Sequence, residues 1–441
     1  MKLLIIGAGP GGYETAVEAA KRGIETVIIS DGPVGGTCLN EGCIPTKTFC
    51  HYAELKEQLA AASDVFGEVP AFDFQAVRAR KQGVVERLRS GVETLLAGKL
   101  ITLVRGRAQF VDSRTVRVGD ETFSGDAVII ATGSVPAFLP IPGAHGAGVV
   151  TSTEILDVQE VPRRLCVIGG GVIGLEFASI FRSFGSEVTV LEYCRELLPR
   201  FDSDLSKRLK QALGKRGIAI ETSAQVTEVS DGPVVHYTKK DSEFTVEADM
   251  VLMAVGRRAA LDSLNLKDIG IVCSRRGIEV DENMQTSVPG VYAVGDIVGQ
   301  TMLAHVASAQ GLRALNHICG VQYDIAFNAV PAAVFTIPEA ATVGMTEDEC
   351  KEKGLKVKCL KSFYRSNGKA VSMDASEGWC KIVTDADSGR ILGCHMLGAH
   401  SADLVQEMTA AVALGRTVAE ERSMIHAHPT LSEVLAEALG A

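Results

Sequence analysis

The chain contains two units in which a glycine-rich turn connects a buried strand to a helix. Apolar runs at residues 2–6 and 165–168 are each followed by a Gly-x-Gly-x-x-Gly turn, at 7–12 and 169–174, and then by a helical stretch and a second apolar run. Continuous apolar runs are typical of parallel strands that are covered on both faces. The pattern therefore predicts an α/β chain that contains two parallel-sheet units.

Each turn has the arrangement that binds the pyrophosphate of a dinucleotide. The first glycine permits the tight turn, the second lets the backbone approach a phosphate, and the third lets the helix pack against the strand. The helix N-terminus then offers free N–H groups and the positive end of its dipole. The motif gains weight here because a strand precedes each copy and a helix follows it. The predicted glycines are Gly7, Gly9 and Gly12 in the first unit and Gly169, Gly171 and Gly174 in the second.

The residue at the end of the second strand in each unit indicates how the ribose is recognised. Glu192 lies 18 residues after Gly174. A carboxylate at this position can accept hydrogen bonds from both ribose hydroxyls and repels a 2′-phosphate, which favours NAD over NADP. Arg195 argues in the opposite direction. In the first unit the matching position is Ser30, so ribose recognition there stays open.

Length and charge limit the remaining possibilities. The 441 residues predict roughly three domains of about 150 residues each. The formal net charge of −10 argues against nucleic acid or an anionic membrane as the main partner. No run reaches about 18 apolar residues, so no membrane span is expected. The apolar start ends at Gly7, which favours a cytoplasmic chain over a secreted one.

The segments between and after the two units show other periodicities. Residues 53–100 have long helical periodicity, and residues 101–130 alternate between apolar and polar with turn signals, which predicts antiparallel strands. Residues 401–414 and 431–439 are predicted as helices of a C-terminal region. That region has no glycine-rich phosphate loop.

Cys38 and Cys43 lie five residues apart in the segment 35–47, Gly-Gly-Thr-Cys-Leu-Asn-Glu-Gly-Cys-Ile-Pro-Thr-Lys. A disulfide that closes so short a loop removes only about 2 kcal/mol of denatured-state entropy, so it would stabilise the fold poorly. Such a bridge beside a cofactor loop is better explained as one that opens and closes. Two reduced thiols without a role remain the alternative. The other nine cysteines are expected mostly as small buried hydrophobes, and no metal site is predicted.

The segment 35–47 resembles the redox-active disulfide signature of the flavin-dependent pyridine nucleotide–disulfide oxidoreductases. Residues 132–134, 293–296 and 302–305 resemble further FAD contacts of that family. The tail at 426–433, His-Ala-His-Pro-Thr-Leu-Ser-Glu, is similar to the family's dihydrolipoamide dehydrogenase branch. The resemblance runs from residue 3 to about residue 436, in the order in which the family has these motifs.

The resemblance implies an α/β fold with two Rossmann-like dinucleotide-binding domains and an α+β C-terminal dimerisation domain. It implies an FAD-binding domain at 1–145, an NAD-binding domain at 146–270, a central FAD-binding segment at 271–320 and the dimerisation domain at 321–441. FAD is expected on the first glycine-rich turn and NAD on the second. The protein is therefore expected to be a homodimer with two dinucleotide cofactors.

The same correspondence implies individual cofactor contacts. Lys47 would lie near the flavin N5, paired with Glu176. Ser30, Glu41 and a shortened loop at 32–33 depart from the family pattern, which affects ribose affinity and redox poise rather than the reaction class. The implied FAD contacts outside the first turn are Ser30, Lys47, Ala108, Thr132, Gly133, Ser134, Asp296, Met302, Leu303, Ala304 and His305. The implied NAD contacts outside the second turn are Glu176, Glu192, Val226 and Gly256.

His428 is the candidate base, because only a thiolate attacks a disulfide sulfur and an imidazole can take the proton near neutral pH. Glu433, five residues later, can reach back to one ring nitrogen and fix the tautomer. The resemblance implies that this histidine acts from the partner subunit, over the disulfide. His426 is expected to have a supporting hydrogen-bonding role.

The implied activity is FAD-dependent oxidation of protein-bound dihydrolipoamide with reduction of NAD+. Cys38 is predicted to be the more exposed sulfur, which the substrate attacks, and Cys43 to be nearer the flavin. The implied partners are lipoyl-domain carrier proteins of a 2-oxoacid dehydrogenase or glycine cleavage complex. The alternatives are a glutathione-reductase-like or mercuric-reductase-like flavin disulfide reductase, or a non-catalytic flavin-binding assembly protein.

Overall fold

The computed structural model describes residues 1–262, 264–322 and 324–440. Its strands form three five-stranded sheets and several smaller ones within these residues. Two of the large sheets carry the glycine-rich turns, and the third belongs to the C-terminal region. This arrangement confirms the expected α/β class with two Rossmann-like units and an α+β C-terminal part. None of the helices in the described ranges is long and apolar enough to cross a membrane.

The first region, residues 1–150, contains four of the five strands of the sheet that carries the first glycine-rich turn. The central strand of this sheet, β1 Lys2–Ile6, pairs in parallel with the strands on both sides, and the four buried residues of this strand, 3–6, are all apolar. The elements are β1 Lys2–Ile6, α1 Pro10–Lys21, β2 Glu25–Ser30, α2 Gly36–Asn40, α3 Cys43–Ala61, α4 Ser63–Phe66, α5 Phe74–Leu96, β3 Ile101–Arg105, β4 Ala108–Asp112, β5 Thr115–Val118, β6 Glu121–Ser124, β7 Ala127–Ile130, β8 Ser134–Pro136 and β9 Val149–Val150.

The second region repeats this plan around the second turn. The strand before the turn again lies between two parallel neighbours. The elements are β10 Arg164–Ile168, α6 Val172–Phe184, β11 Glu187–Glu192, α7 Ser203–Lys215, β12 Ile218–Thr222, β13 Gln225–Ser230, β14 Val234–Lys239, β15 Ser242–Glu247, β16 Met250–Met253 and β17 Arg257–Ala259.

The chain then returns to the first sheet before it forms the C-terminal sheet. The strand β18 Val291–Ala293 pairs with β7, and the antiparallel C-terminal sheet follows. The elements are β18, α8 Ala304–Ile318, β19 Ala332–Val334, β20 Ala340–Gly344, α9 Glu347–Glu352, β21 Val357–Phe363, α10 Gly368–Ser372, β22 Trp379–Asp385, β23 Ile391–Leu397, α11 Ser401–Leu414, α12 Val418–Arg422 and α13 Glu433–Gly440. The domain boundaries expected at 145, 270 and 320 stay predictions.

The helical periodicity of 53–100 is confirmed, and it is divided among α3, α4 and α5, with Gly67 and Pro70 between α4 and α5. Two other sequence-based expectations need correction. Within 101–130 only β4, β5 and β6 are antiparallel, whereas β3 and β7 pair in parallel with β2 and β1. Of the nine other cysteines only four are buried, and Cys273 is exposed.

The two turns have the same geometry, which explains why glycine occupies both ends of each motif. Gly7 and Gly169 have φ angles of +108° and +114°. A Cβ at Gly12 or Gly174 would lie 1.9 or 2.0 Å from the carbonyl oxygen of the first glycine. No side chain caps the first turn of α1 or α6, so their N–H groups are available to a phosphate.

One apolar core joins all the regions of the chain. It contains Phe49 from α3, Leu175 from α6, Leu209 from α7 and Trp379 from β22, each at most 2% exposed. The helix that begins at Cys43 is therefore packed against both the second unit and the C-terminal sheet. This shared core fixes the place where the regions meet.

We expect Gly174→Ala to lower the free energy of unfolding by about 1–3 kcal/mol, because the added Cβ meets a backbone oxygen that cannot move aside. Thermal and denaturant unfolding measure the change. Gly83→Ala is the matched control, since Gly83 lies within α5 with no atom within 4 Å of an added Cβ. It should raise stability by about 0.5–1 kcal/mol. Equal effects of the two variants would contradict the packing role of Gly174.

Candidate active site

A cavity of about 2770 Å³ extends from the first glycine-rich turn to the second and is also lined by the cysteine pair. Gly12 and Gly174 are absent from its lining because they pack turn against helix. His428 and Glu433 do not line it within one chain either. The sequence-predicted residues that do line it are Gly7, Gly9, Ser30, Cys38, Cys43, Lys47, Ala108, Thr132, Gly133, Ser134, Gly169, Gly171, Glu176, Glu192, Val226, Gly256, Asp296, Met302, Leu303, Ala304 and His305.

The structure brings Cys38 and Cys43 into direct contact as two free thiols. Cys38 lies in α2, and Cys43 is the first residue of α3. The Cys38 S–H donates a hydrogen bond to the Cys43 sulfur, which lowers the pKa of Cys43 to about 7 and raises the pKa of Cys38. Lys47 lowers the pKa of Cys43 further. Cys43 is therefore the thiol that ionises first.

The prediction that Cys38 is the more exposed sulfur stays a prediction. Taken as whole residues, Cys43 is exposed and Cys38 is partly exposed, whereas the Cys43 thiol is surrounded by more protein than the Cys38 thiol. The pKa difference between the two thiols distinguishes them more clearly than their exposure does.

A side chain missed by the sequence analysis holds the cysteine loop. Asn40, the last residue of α2, donates hydrogen bonds to the carbonyl oxygens of Val34 and Gly36 at 3.0 and 2.9 Å. Arg89 of α5 in turn donates to the Asn40 side-chain oxygen at 2.8 Å. The asparagine stands inside the cysteine motif, but its arginine partner lies 49 residues away. These contacts fix α2 and with it the position of Cys38.

Lys47 and Glu176 form a buried ion pair between α3 and α6. The Lys47 Nζ donates to the two carboxylate oxygens at 2.9 and 2.7 Å, and Glu176 is only 3% exposed. The backbone N–H of Phe335 also donates to Glu176, at 3.0 Å. Burial opposes the charge of Lys47, but the carboxylate outweighs it, so the pKa of Lys47 is raised. The lysine therefore stays charged one turn from Cys43.

Ser134 and Asp296, two of the predicted FAD contacts, are linked to each other through a hydrogen bond of 2.5 Å. Arg257, which the sequence analysis missed, donates to the Ser134 side chain and carbonyl at 2.7 and 2.8 Å. Burial lowers the pKa of Arg257. Its position directly after the predicted Gly256 is the only sequence signal for it. The arginine fixes Ser134 and so orients Asp296 at the cavity wall.

The side chains at the two predicted ribose-binding positions, Ser30 and Glu192, form hydrogen bonds with the backbone of nearby loops. Ser30 donates to the Gly32 carbonyl oxygen at 3.0 Å. The Glu192 carboxylate accepts hydrogen bonds from the N–H groups of Gly170 and Cys194, both at 2.6 Å. Glu192 is thereby held directly beside the second glycine-rich turn, with its negative charge facing the cavity.

His428 and Glu433 form the hydrogen-bonded pair that the spacing predicts. The Nδ1 of His428 lies 2.9 Å from the Glu433 carboxylate. The N–H of Thr430 donates to the other carboxylate oxygen, and these two contacts lower the pKa of Glu433. Since an ionised carboxylate only accepts hydrogen bonds, Nδ1 carries the proton and Nε2 is left free. His426 contacts Glu407, a partner that the sequence analysis missed.

The residues around the cavity fit two dinucleotides. Gly171 has open space where a Cβ would point, and Gly9 has only the Cα of Gly36 within 4 Å. Both turns therefore leave room for a pyrophosphate at an uncapped helix N-terminus. Asp296, bonded to Ser134, and Glu192, bonded to the second turn, add two acidic groups to the cavity lining. This donor and acceptor set suits FAD on the first turn and a nicotinamide dinucleotide on the second.

Comparison with known proteins decides the family. Residues 1–311 match the family described as pyridine nucleotide-disulphide oxidoreductase, and residues 330–439 match its dimerisation domain. The chain belongs to the pyridine nucleotide-disulphide oxidoreductase family. It is therefore a flavoprotein disulfide oxidoreductase, and the expected use of FAD and NAD(H) is confirmed as a property of this family. The dimerisation domain supports a homodimer.

Relatives of this pyridine nucleotide-disulphide oxidoreductase include curated dihydrolipoyl dehydrogenases. Those of Staphylococcus aureus and Bacillus subtilis (strain 168) are each 40% identical over 99% of this chain and 95% of their own length. These relatives support the enzyme class expected from the sequence.

Two solved structures are similar to this chain over its full length. The HOCl-induced flavoprotein disulfide reductase RclA from Escherichia coli has a TM-score of 0.90 and 30% identity over 100% of this chain and 99% of its own. LpdA from Mycobacterium tuberculosis has a TM-score of 0.92 and 27% identity over the same shares of the two chains.

We expect the reduced protein to react with iodoacetamide at Cys43 with a midpoint near pH 7, because the thiolate is the nucleophile and forms above its pKa of about 7. The alkylation rate as a function of pH, with the modified residue identified by mass spectrometry, checks this. Lys47→Met and Cys38→Ala should each move the midpoint upward, since each removes a group that stabilises the thiolate. Lys56 lies on the same helix, but its Nζ donates a hydrogen bond to the Ser183 carbonyl oxygen rather than approaching Cys43. Lys56→Met should therefore leave the midpoint unchanged. A wild-type midpoint at the value of a free cysteine would contradict this electrostatic account.

Proposed function

We propose that this protein oxidises protein-bound dihydrolipoyl groups and transfers the electrons to NAD+. The observation that carries the proposal is the contact between Cys38 and Cys43 beside Lys47, in a cavity that both glycine-rich turns share. The curated dihydrolipoyl dehydrogenases, 40% identical over nearly the full chain, support the dithiol as substrate. The His428–Glu433 pair supplies the proton acceptor that oxidation of a thiol requires.

The proposed exchange begins with the cysteine pair in its disulfide form. The free Nε2 of His428, from the partner subunit, takes the proton of one substrate thiol, while Glu433 stabilises the imidazolium through Nδ1. The thiolate attacks Cys38, forms a mixed disulfide and releases Cys43 as a thiolate. The second substrate thiol then displaces Cys38, so that one substrate disulfide forms and the protein pair takes up two electrons.

The pKa asymmetry of the pair supports these roles. Cys43 leaves readily because its thiolate is stabilised by Cys38 and Lys47, and the Cys38 thiol holds its proton. When bound, FAD would accept the electron pair from the reduced cysteines and deliver it to NAD+ as a hydride. Lys47, Ser134 and Asp296 would hold the flavin, with Arg257 fixing Ser134. Met302, Leu303, Ala304 and His305 would line the start of α8 beside it.

The preference for NAD over NADP rests on Glu192. Its carboxylate is fixed by two backbone N–H groups and faces the cavity, where a 2′-phosphate would meet a negative charge. Val226 and Gly256 line the same cavity and would contact this nucleotide.

The lipoyl-domain carriers of a 2-oxoacid dehydrogenase or glycine cleavage complex are the proposed partners, and the cytoplasm is the proposed location. The thiol substrate and the relatives named dihydrolipoyl dehydrogenase support the carriers. The nine cysteines other than Cys38 and Cys43 are free thiols, which suits a reducing compartment. We also propose the domain boundaries at 145, 270 and 320, with residues 321–441 forming the dimer contact.

A steady-state assay of the purified FAD-loaded protein tests the activity. Dihydrolipoamide with NAD+ should give rapid NADH formation, and NADP+ should give a lower kcat/KM. Oxidised glutathione with NADPH is the comparison that a glutathione-reductase-like enzyme would prefer. An anaerobic NADH titration should take up two electron pairs per flavin, because the cysteine pair holds the second. Uptake of one pair, or a preference for glutathione, would contradict the proposal.

We expect His428→Gln to slow dihydrolipoamide oxidation by about 10²–10⁴-fold, the usual contribution of general acid–base catalysis. Turnover with a small-molecule electron acceptor that bypasses the dithiol should stay close to wild type, because His428 acts only on the thiol. His426→Gln is the matched control, since His426 contacts Glu407 and not Glu433. It should slow the reaction by less than about tenfold. A similar loss in both variants would assign no special role to His428.

A further inference from the structure

A cluster of charged side chains is buried where the second parallel-sheet unit meets the C-terminal sheet. Lys381 of β22 is 1% exposed, and its Nζ donates to the two carboxylate oxygens of Asp202, which is 0% exposed, at 3.1 and 2.9 Å. The same Nζ lies 3.1 Å from Asp204 and 2.7 Å from Glu347. Lysine and aspartate are almost never fully buried unless they are paired. No step of the thiol exchange uses this cluster.

The register of the C-terminal sheet places this cluster on the face that packs against α7. Lys381 stands opposite Lys361 on one neighbouring strand and His395 on the other, so the three side chains share one face of the sheet. Trp379, two residues earlier on the same face, packs under Arg208 of α7, with 5.0 Å between the guanidinium carbon and the ring centroid. These three polar side chains and the tryptophan together form a specific contact between this sheet and α7.

Asp202 stands at the point where a cavity-lining loop enters α7. It caps α7 by accepting a hydrogen bond from the Asp204 N–H at 3.1 Å. The preceding loop, residues 198–201, lines the cavity beside Gly169, Gly171 and Glu192. At the start of this loop the Leu198 N–H donates to the Gly170 carbonyl oxygen at 3.1 Å. Asp202 thus ties one end of the loop to the C-terminal sheet, and Leu198 ties the other end to the second glycine-rich turn.

We propose that Lys381 and Asp202 are positioning residues that hold the loop 198–201 against the second glycine-rich turn, so that the C-terminal sheet shapes the nicotinamide dinucleotide site. A buried ion pair can often be replaced by neutral side chains of similar size at little cost in stability, so burial alone does not account for the pair. The position of the pair between the C-terminal sheet and the loop 198–201 explains why a buried ion pair is present here. This inference rests on the proposed binding of the nicotinamide dinucleotide at that turn.

The main test is Lys381→Met, which keeps an unbranched side chain that is one atom shorter and removes its charge. The KM for NADH should rise about threefold to thirtyfold, the range that coupled positions outside a site usually produce. The KM for lipoamide and the flavin content should stay within about twofold, because the variant leaves the cysteine pair and the first turn untouched. A rise confined to the nucleotide separates positioning from general destabilisation.

Lys361→Met is the matched control. Lys361 lies opposite Lys381 and 3.4 Å from Asp204, but it is 40% exposed, and its contact is with Asp204 rather than Asp202. Exposed ion pairs contribute little, so the KM for NADH should stay within about twofold of wild type. The contrast between two lysines on one face isolates the contact with Asp202.

A double variant, Lys381→Met with Asp202→Asn, guards against misfolding of the single variant. It leaves no unpaired charge at the central contact, and asparagine caps a helix as well as aspartate does. We expect it to fold, to raise the KM for NADH as Lys381→Met does, and to show faster hydrogen–deuterium exchange of the amides in 198–201.

Two outcomes would overturn the inference while the proposed function stands. The first is a KM for NADH within about twofold of wild type in both the single and the double variant. The second is an equal rise in the KM values for NADH and lipoamide, which would indicate a loss of structure throughout the site. Failure of the wild-type protein to use NADH would instead refute the proposed function and this inference together.

Discussion

The ion pair between Lys47 and Glu176 is the contact on which the arrangement of the site depends. It joins the helix that begins at Cys43 to the helix that begins at the second glycine-rich turn, and the Phe335 N–H adds the C-terminal region to the same carboxylate. A buried carboxylate is stable only when it is paired in this way. One side chain therefore sets the distance between the thiols and the second dinucleotide site, and it keeps a positive charge near Cys43.

The chemistry of the cysteine pair follows from its asymmetric surroundings. Both thiols lie in the same short segment, yet one donates a hydrogen bond and the other receives it. The receiving sulfur also lies at a helix N-terminus one turn from a lysine, and both features favour a thiolate. The different roles of the two sulfurs thus follow from the hydrogen bond between them and from the charges around them.

The sequence was sufficient for features that depend on local constraints. The glycine-rich turns, the cysteine segment and the His428–Glu433 pair all follow from residues close together in the chain. The Lys47–Glu176 pair joins residues 129 apart and could be expected only from the family resemblance. Other supporting contacts were missed because they join residues far apart, such as Arg257 and Ser134, separated by 123 residues.

The core that α3, α6, α7 and β22 share has a consequence for how this chain is made. Strands that carry Trp379 and Leu397 complete a core that begins with Phe49 and Leu165. While the chain is still on the ribosome, the second parallel-sheet unit therefore keeps an apolar face uncovered until residues beyond 379 have emerged from the exit tunnel. A chain truncated before residue 379 would accordingly leave part of this core without its covering residues.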